Sequence, residues 1–358
     1  LTFPPHWIWI RPLTGDLGGV KWFSSQMAAH NLFYRGTSAI SIPEVILLED
    51  DASIFRVAWD DAQINASGVT YQWIEVSDPG MRFMLNGAVR APSAATSYTA
   101  TLPGDNFTPV ASFIWPEDGA KNTSLVARYK GPGHTANQVT LFGSSSTTLE
   151  DALTFGVGSL ALLTNINLSA LYQCAFNLWR EIDGSGTTDR IVEITSYTGN
   201  GTGARVISLD LSGKYPLFVV VVPHNSAAAF LRDPSHTGSN SSDLSGTGST
   251  TAITAGGVDS ITVGVTLNTN AVVYDVFAII GHSTGWVNGD PILIAAAPAP
   301  GCWLEPAGSV VSAAAVFANR ESICDRVQYR LGDTSGSIWS KGEIYSYLRM
   351  ATAEMADR

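Results

Sequence analysis

The sequence predicts a mainly β chain: tandem β-sandwich, jelly-roll-like repeats followed by a short C-terminal α-helical segment. Composition is the first reason. Thirty-four glycines, abundant Ser and Thr, and only 14% charged residues among 358 suit turns and short strands better than helices. Recurrence is the second. Apolar runs rich in aromatic residues end at Pro12, Pro116 and Pro223, 104 and 107 residues apart. His30, His134 and His236 follow at separations of 104 and 102, and Tyr71, Tyr172 and Tyr274 at 101 and 102, preceded by Asn65, Asn167 and Asn270. A period near one hundred exceeds the roughly 20 to 50 residues of a solenoid repeat and matches an independent sandwich of about 100 residues.

The first repeat covers residues 1–77. Its run Trp7-Ile8-Trp9-Ile10 alternates with period two, so Trp7 and Trp9 share one strand face and read as core or interface residues rather than sugar-stacking platforms. Stretches that precede the proline-closed strand in the other repeats, from Met81 and from Arg190, have no counterpart before Phe3. The expectation is a fragment, or a neighbouring chain that supplies the strand by edge pairing. Ser77-Asp78-Pro79-Gly80 marks the boundary turn.

The second repeat covers residues 78–183. Lys130-Gly131-Pro132-Gly133-His134-Thr135 resembles a phosphate loop only superficially, lacking the following Lys-Ser/Thr and helix. Cys174 sits in an apolar strand and reads as a buried, inert thiol. The third repeat covers residues 184–296. Strands are expected at 190–195, 205–211, 215–223, 260–265 and 273–280, with Leu217 to Val222 buried on both faces. The Ser/Gly/Asn/Thr stretch 237–249 offers little to bury and is expected to be mobile.

Residues 297–318 form a linker and 319–358 a helical docking segment. Ile323, Val327 and Leu331 lie four apart on one face, and Gly332 stops that helix. Ser340 and Glu343 have capping-box spacing before a helix carrying Ile344, Leu348, Ala351 and Met355. Two short helices need a partner surface to stay folded.

The function classes narrow accordingly. A formal net charge of -11 opposes a phosphate-gripping surface and leaves open both a local basic patch and an acidic lumen that DNA only passes as cargo. No apolar run reaches the roughly 20 residues of a membrane span, and a soluble chain with no membrane partner is expected. Cys174, Cys302 and Cys324 form no CxxC pair, so neither a metal nor a disulfide framework is expected. No acid pair, Gly-x-Ser-x-Gly elbow or His-Glu-x-x-His motif occurs. The chain is therefore read as not an enzyme, with no cofactor. The recurrent histidines, with no carboxylate recurring beside them, read as turn residues donating to backbone carbonyls.

The segment Asp325-Arg326-Val327-Gln328-Tyr329-Arg330-Leu331-Gly332-Asp333, followed by Ile338-Trp339-Ser340, Glu343-Ile344 and Tyr347-Leu348, resembles head-tail connector (adaptor) proteins of tailed bacteriophages. The resemblance covers residues 320–358. Tyr197-Thr198-Gly199-Asn200-Gly201-Thr202, Pro216 to Val222 and Asp233-Pro234-Ser235-His236-Thr237-Gly238 are similar to uncharacterised β domains of phage virion proteins. The resemblance implies a structural virion protein at the neck or collar. Its implied partners are the portal, neighbouring adaptor subunits, and capsid or tail proteins, within a homo-oligomer of the closed-ring kind. It also implies packing roles for Trp339, Ile344, Tyr347 and Leu348, and interface contacts for Arg326, Arg330 and Arg349. The alternative is a receptor-binding tail protein recognising a host surface glycan, which predicts exposed aromatics at equivalent loops and three chains.

Overall fold

The computed structural model describes residues 7–12, 18–22, 30–35, 38–43, 46–48, 55–57, 67–76, 78, 83–90, 97–102, 107–116, 127–142, 148–149, 151–163, 173–181, 192–225, 229–233, 236, 240–244 and 249–281. All fall within one compact unit, Leu1–Leu304. The expected linker and helical segment lie outside the described residues.

The described chain is mainly β, as the composition predicts. Its first stretch gives β1 (Trp7–Pro12), β2 (Gly18–Trp22), β3 (His30–Arg35), β4 (Ser38–Pro43), β5 (Ile46–Leu48), β6 (Phe55–Val57) and β7 (Tyr71–Val76). The second gives β8 (Met84–Arg90), β9 (Ser97–Thr101), β10 (Ala111–Pro116), β11 (Ala127–Lys130), β12 (Val139–Phe142), β13 (Thr148–Leu149), β14 (Leu153–Gly156), β15 (Ser159–Leu163) and β16 (Gln173–Trp179). The third gives β17 (Val192–Thr198), β18 (Ala204–Ser208), β19 (Pro216–Pro223), β20 (Phe230–Arg232), β21 (Ser241–Asp243), β22 (Ser249–Thr250), β23 (Ile253–Gly257), β24 (Ser260–Gly264) and β25 (Val273–Ile280).

Strand order repeats. The second stretch forms a six-stranded sheet β13-β12-β11-β10-β16-β8 and a three-stranded sheet β14-β15-β9. The third forms β22-β21-β20-β19-β25-β17 and β23-β24-β18, each strand nine places further along. The first forms β4-β3-β2-β1-β7 and β5-β6, which is the same plan without described counterparts of β8 and β9. Four successive strands meander within each large sheet before the return strand pairs beside the first, so the alternation between sheets expected of a jelly roll is not the connectivity found.

Register makes the correspondence residue by residue. Pro12, Pro116 and Pro223 lie opposite Tyr71, Cys174 and Tyr274. Proline lacks an N–H to donate, which suits it to the last place of a strand in all three. At the register of Tyr71 and Tyr274 the second stretch carries Cys174, and Tyr172 lies outside the described residues. Cys174 is a buried free thiol, as its apolar strand predicts. Likewise His30 opens β3, the third strand of its meander, whereas His134 and His236 lie in the turn after the second. Equal spacing had hidden loops of unequal length. The stretch 237–249 is also not wholly loop: β21 and β22 pair within it, and the buried Ser241 Oγ accepts the Ile253 amide at 3.1 Å.

The sandwiches bury two kinds of surface. Leu85, Ile114, Val139, Cys174, Phe176 and Leu178 of the second large sheet pack on Leu153, Leu160 and Leu162 of its small sheet. The opposite face of each large sheet joins one shared core. Five and three residues before the closing prolines stand Trp7 and Trp9, Ala111 and Phe113, Phe218 and Val220, all in that core. The small Ala111 faces the large Trp179 across the strand pair, a large-small complement that lets unlike faces interlock. Trp7 meets Trp179 at 5.8 Å and Phe218 at 5.6 Å, and Trp179 meets Phe277 at 4.9 Å, all edge-on. Each large sheet therefore touches both others through aromatic rings.

The turn expected at residues 77–80 has a specific anchor. The buried Asp78 carboxylate accepts the Phe83 and Met84 amides at 2.7 and 2.8 Å, fixing the entry to β8. Glu181 does the same for the third stretch, accepting the Ile194 amide at 3.1 Å.

Candidate functional site

The turn after β11 and the turn after β20 are built alike. The Gly131 amide donates to His134 Nδ1 at 3.2 Å while the His134 amide donates to the Gly131 carbonyl at 3.2 Å. In the third stretch the Asp233 amide donates to His236 Nδ1 and the His236 amide to the Asp233 carbonyl, again at 3.2 Å. The ring nitrogen accepts a backbone amide, so the expected donation to a backbone carbonyl is corrected. A buried cation precedes each turn. Lys130 Nζ donates to the Thr135 and Gln138 carbonyls at 3.1 and 3.0 Å, and Arg232 donates to the Asn240 and Ile253 carbonyls. Both carry charge at the same register, opposite Ser112 and Val219.

Where the two turns differ, chemistry gathers. His134 Nδ1 lies 2.9 Å from Asp275 Oδ2, and His224 Nε2 lies 2.9 Å from the same oxygen. The three ligating atoms lie within 4.8 Å of one another. The second sandwich's turn contributes His134. His224 follows the closing proline of β19, its amide held by the Val273 carbonyl at 2.9 Å, and Asp275 projects from β25. The imidazole centroids stand 3.8 Å apart.

The surroundings hold each group. The Gly133 amide donates to Asp275 Oδ1 at 2.7 Å, and His134 Nε2 pairs with Thr140 Oγ1 at 2.7 Å. A Cβ on Gly131 would come within 2.6 Å of Asp275 Oδ2, and one on Gly133 within 2.6 Å of Oδ1 and 3.0 Å of His224 Cε1. Only glycine leaves room for the carboxylate there. The sequence that resembled a phosphate loop thus does cradle an anion, a carboxylate from β25.

Burial by itself would raise the Asp275 carboxyl, but the His134 and His224 rings set against it hold it below the ordinary range. Burial depresses His134, against the opposing pull of Asp275. The Tyr129 phenol, in the adjoining core, is pushed well up by burial and then by the Asp275 charge. Near neutral pH Asp275 is accordingly an ionised carboxylate and His134 a neutral imidazole.

Sequence reasoning reached His134 but not its partners. His224 lacked a recurring counterpart, and Asp275 lies 141 residues beyond His134 in the chain. One signal was readable: Asp275 is the lone charge in the apolar strand Val273-Tyr274-Asp275-Val276-Phe277-Ala278-Ile279-Ile280. The residues at its register in the sister sheets are Gln72 and Ala175, opposite Arg11 and Trp115. The interface residues expected in the helical segment, Arg326, Arg330, Trp339, Ile344, Tyr347, Leu348 and Arg349, lie outside the described residues.

The motif Tyr197 to Thr202 proves to be a brace for the third sandwich. Tyr197 Oη donates to the Leu267 carbonyl at 2.5 Å. Asn268 Nδ2 donates to Asn200 Oδ1 at 2.7 Å and to the Thr202 carbonyl at 3.0 Å. Gly199 permits the contact, since a Cβ there would fall 2.0 Å from the Thr269 carbonyl oxygen.

No protein-family model, no curated protein and no solved structure matches this chain.

Proposed function

We propose that this chain is a structural assembly protein made of a β module copied along the polypeptide, and that it serves in the virion of a tailed bacteriophage, at the neck or collar. The observation that carries the structural part is the three-way aromatic core. Three sheets of one strand order turn matching faces toward each other, which suits modules evolved to pack with copies of themselves. The titratable cluster beside that core is mostly covered and engaged with its own backbone, as in a scaffold. The virion setting rests on the resemblance carried by residues 320–358.

The exposed aromatic residue Trp73 favours assembly over glycan recognition. It lies 50% exposed on strand β7, whereas its register counterparts, Phe176 and Val276, are buried. A glycan-gripping set would recur in loops.

The test is the mass and shape of the full chain in solution, by light scattering and negative-stain imaging, beside Leu348→Asp. A closed ring that falls apart in the variant supports docking through the last helix. Three chains that bind host glycan transfer the protein to the receptor-binding class. Monomers in both samples, with no uptake into particles, overturn the proposal.

A further inference from the structure

We propose that His134, His224 and Asp275 form a binding site for one divalent first-row transition-metal ion, zinc being the ion the donor set suits best. The site would staple the second sandwich to the third.

The donor set is two imidazole nitrogens and one carboxylate oxygen, a combination suited to zinc with a fourth position left for water. A tetrahedral ion with bonds of about 2.0–2.1 Å sets its ligand atoms about 3.3 Å apart. Each nitrogen stands 2.9 Å from Asp275 Oδ2, so a small outward movement makes room. Side chains of this length accommodate such a shift without displacing a strand.

The hydrogen-bond pattern points the same way. The turn presents His134 Nδ1 as an acceptor to the Gly131 amide, and Thr140 can hold the ring proton at Nε2. That tautomer sets the Nδ1 lone pair 2.9 Å from a carboxylate oxygen. Two buried acceptors facing each other repel unless a proton or a cation lies between them. The alternative tautomer satisfies Asp275 but turns an N–H toward the Gly131 amide. A metal ion removes the repulsion between Nδ1 and Oδ2 by binding both; because Nδ1 has a single lone pair, ligation takes it from the Gly131 amide.

Outer partners for such an ion are already in place. Histidine ligands characteristically donate their second N–H to an oxygen, and ligand carboxylates are themselves hydrogen-bonded. Here Thr140 Oγ1 stands at His134 Nε2, and the Gly133 amide holds Asp275 Oδ1. The glycines keep Cβ atoms out of the carboxylate's surroundings. The His224 side chain is 12% exposed while the other two are fully covered, which gives a route of entry on one side. Lys130 is turned away, its ammonium bound to two carbonyls.

The sister turn supplies an internal control. His236 makes the same intraturn hydrogen bond, but its carboxylate, Asp233, comes from the same turn at 3.3 Å, with no second imidazole joining them among the described residues. The metal site is therefore assigned to one module interface and not to the repeat as such. It does not depend on the assembly role.

The experiment uses the tag-free full chain, stripped with chelator and titrated with zinc in competition with a chromophoric chelator of micromolar affinity. Cobalt(II) uptake is read in parallel by visible absorption. Expected are one equivalent of zinc per chain, a four-coordinate cobalt spectrum, and a zinc-dependent rise in melting temperature. His224→Ala and Asp275→Asn should each abolish all three, and Thr140→Val should weaken zinc binding by roughly 10- to 100-fold. Absence of uptake by the wild type overturns the proposal. So does uptake that persists in His224→Ala, whose partly exposed side chain should be removable without unfolding. A cobalt spectrum typical of six-coordinate surface binding also refutes it.

Discussion

Trp7→Ala tests whether the three sandwiches share one core or merely adjoin. Trp7 is 1% exposed and its ring meets Trp9, Trp179 and Phe218 at 5.6 to 5.8 Å. A buried tryptophan removes about 150–250 Å² from water, which at about 25 cal/mol per Å² is about 4–6 kcal/mol. Alanine recovers a little of that, and measured costs of Trp→Ala in cores are about 3–5 kcal/mol. The cavity opens where all three large sheets meet, so the loss should reach strands of the other two sandwiches. Native-state hydrogen exchange can see this. Amides of β19 and β25 should exchange on the order of a thousandfold faster in the variant, since each 1.4 kcal/mol is about tenfold. Leu160→Ala is the control, because Leu160 belongs to the interior of the second sandwich alone. Its cost, about 2–5 kcal/mol, should fall mainly on β8 to β16. If Trp7→Ala accelerates exchange only within residues 7–76 while β19 and β25 keep wild-type protection, the shared core is a contact without energetic consequence and the reasoning fails.

Asp78→Ala removes the acceptor of two buried amides, Phe83 and Met84, and should cost about 1–3 kcal/mol, read as a lower denaturant midpoint with unchanged slope. Tyr197→Phe leaves the Leu267 carbonyl without its hydroxyl donor but keeps the stack on Tyr274. A loss of about 1–2 kcal/mol is expected, and a melting temperature equal to wild type would show the brace to be idle. Lys130 gives a pH signature. Burial lowers its ammonium from 10.5 to about 8, against a weaker upward pull from Asp275. Between those values the unfolded chain binds more protons than the folded one, so stability rises with pH across that window and the penalty is present in full below it. Wild type should therefore gain on Lys130→Met between pH 8 and about pH 10. A difference that is flat or falls with pH contradicts it.

The fold was legible where physics acts locally. β19 and β25 were readable because β-branched runs bounded by proline and glycine have few other conformations, and the three closing prolines landed at one register because each ends a strand that cannot continue through its missing N–H. Spacing misled where loops intervene. The separations that joined His30 to His134 and His236, and Tyr172 to Tyr71 and Tyr274, were sums of strand and loop lengths, and only hydrogen-bond register distinguishes a true counterpart from a coincidence of count.

The site was hidden for a related reason. Searching for recurrence selects residues that more than one module uses, and those maintain the module: the turn histidines His134 and His236 and the aromatic layer. A site formed between two modules breaks the repeat: His134 has a sister in His236, but His224 and Asp275 have none in kind. Asp275 stands where the sister sheets carry Gln72 and Ala175. A carboxylate at that position would be costly to bury without partners, and its partners arrive from the Gly131–His134 turn of one module and from His224 of its own. The residue to suspect, then, is a charged exception in an otherwise apolar strand. Asp275 is such an exception, in a strand whose other residues are accounted for by the core.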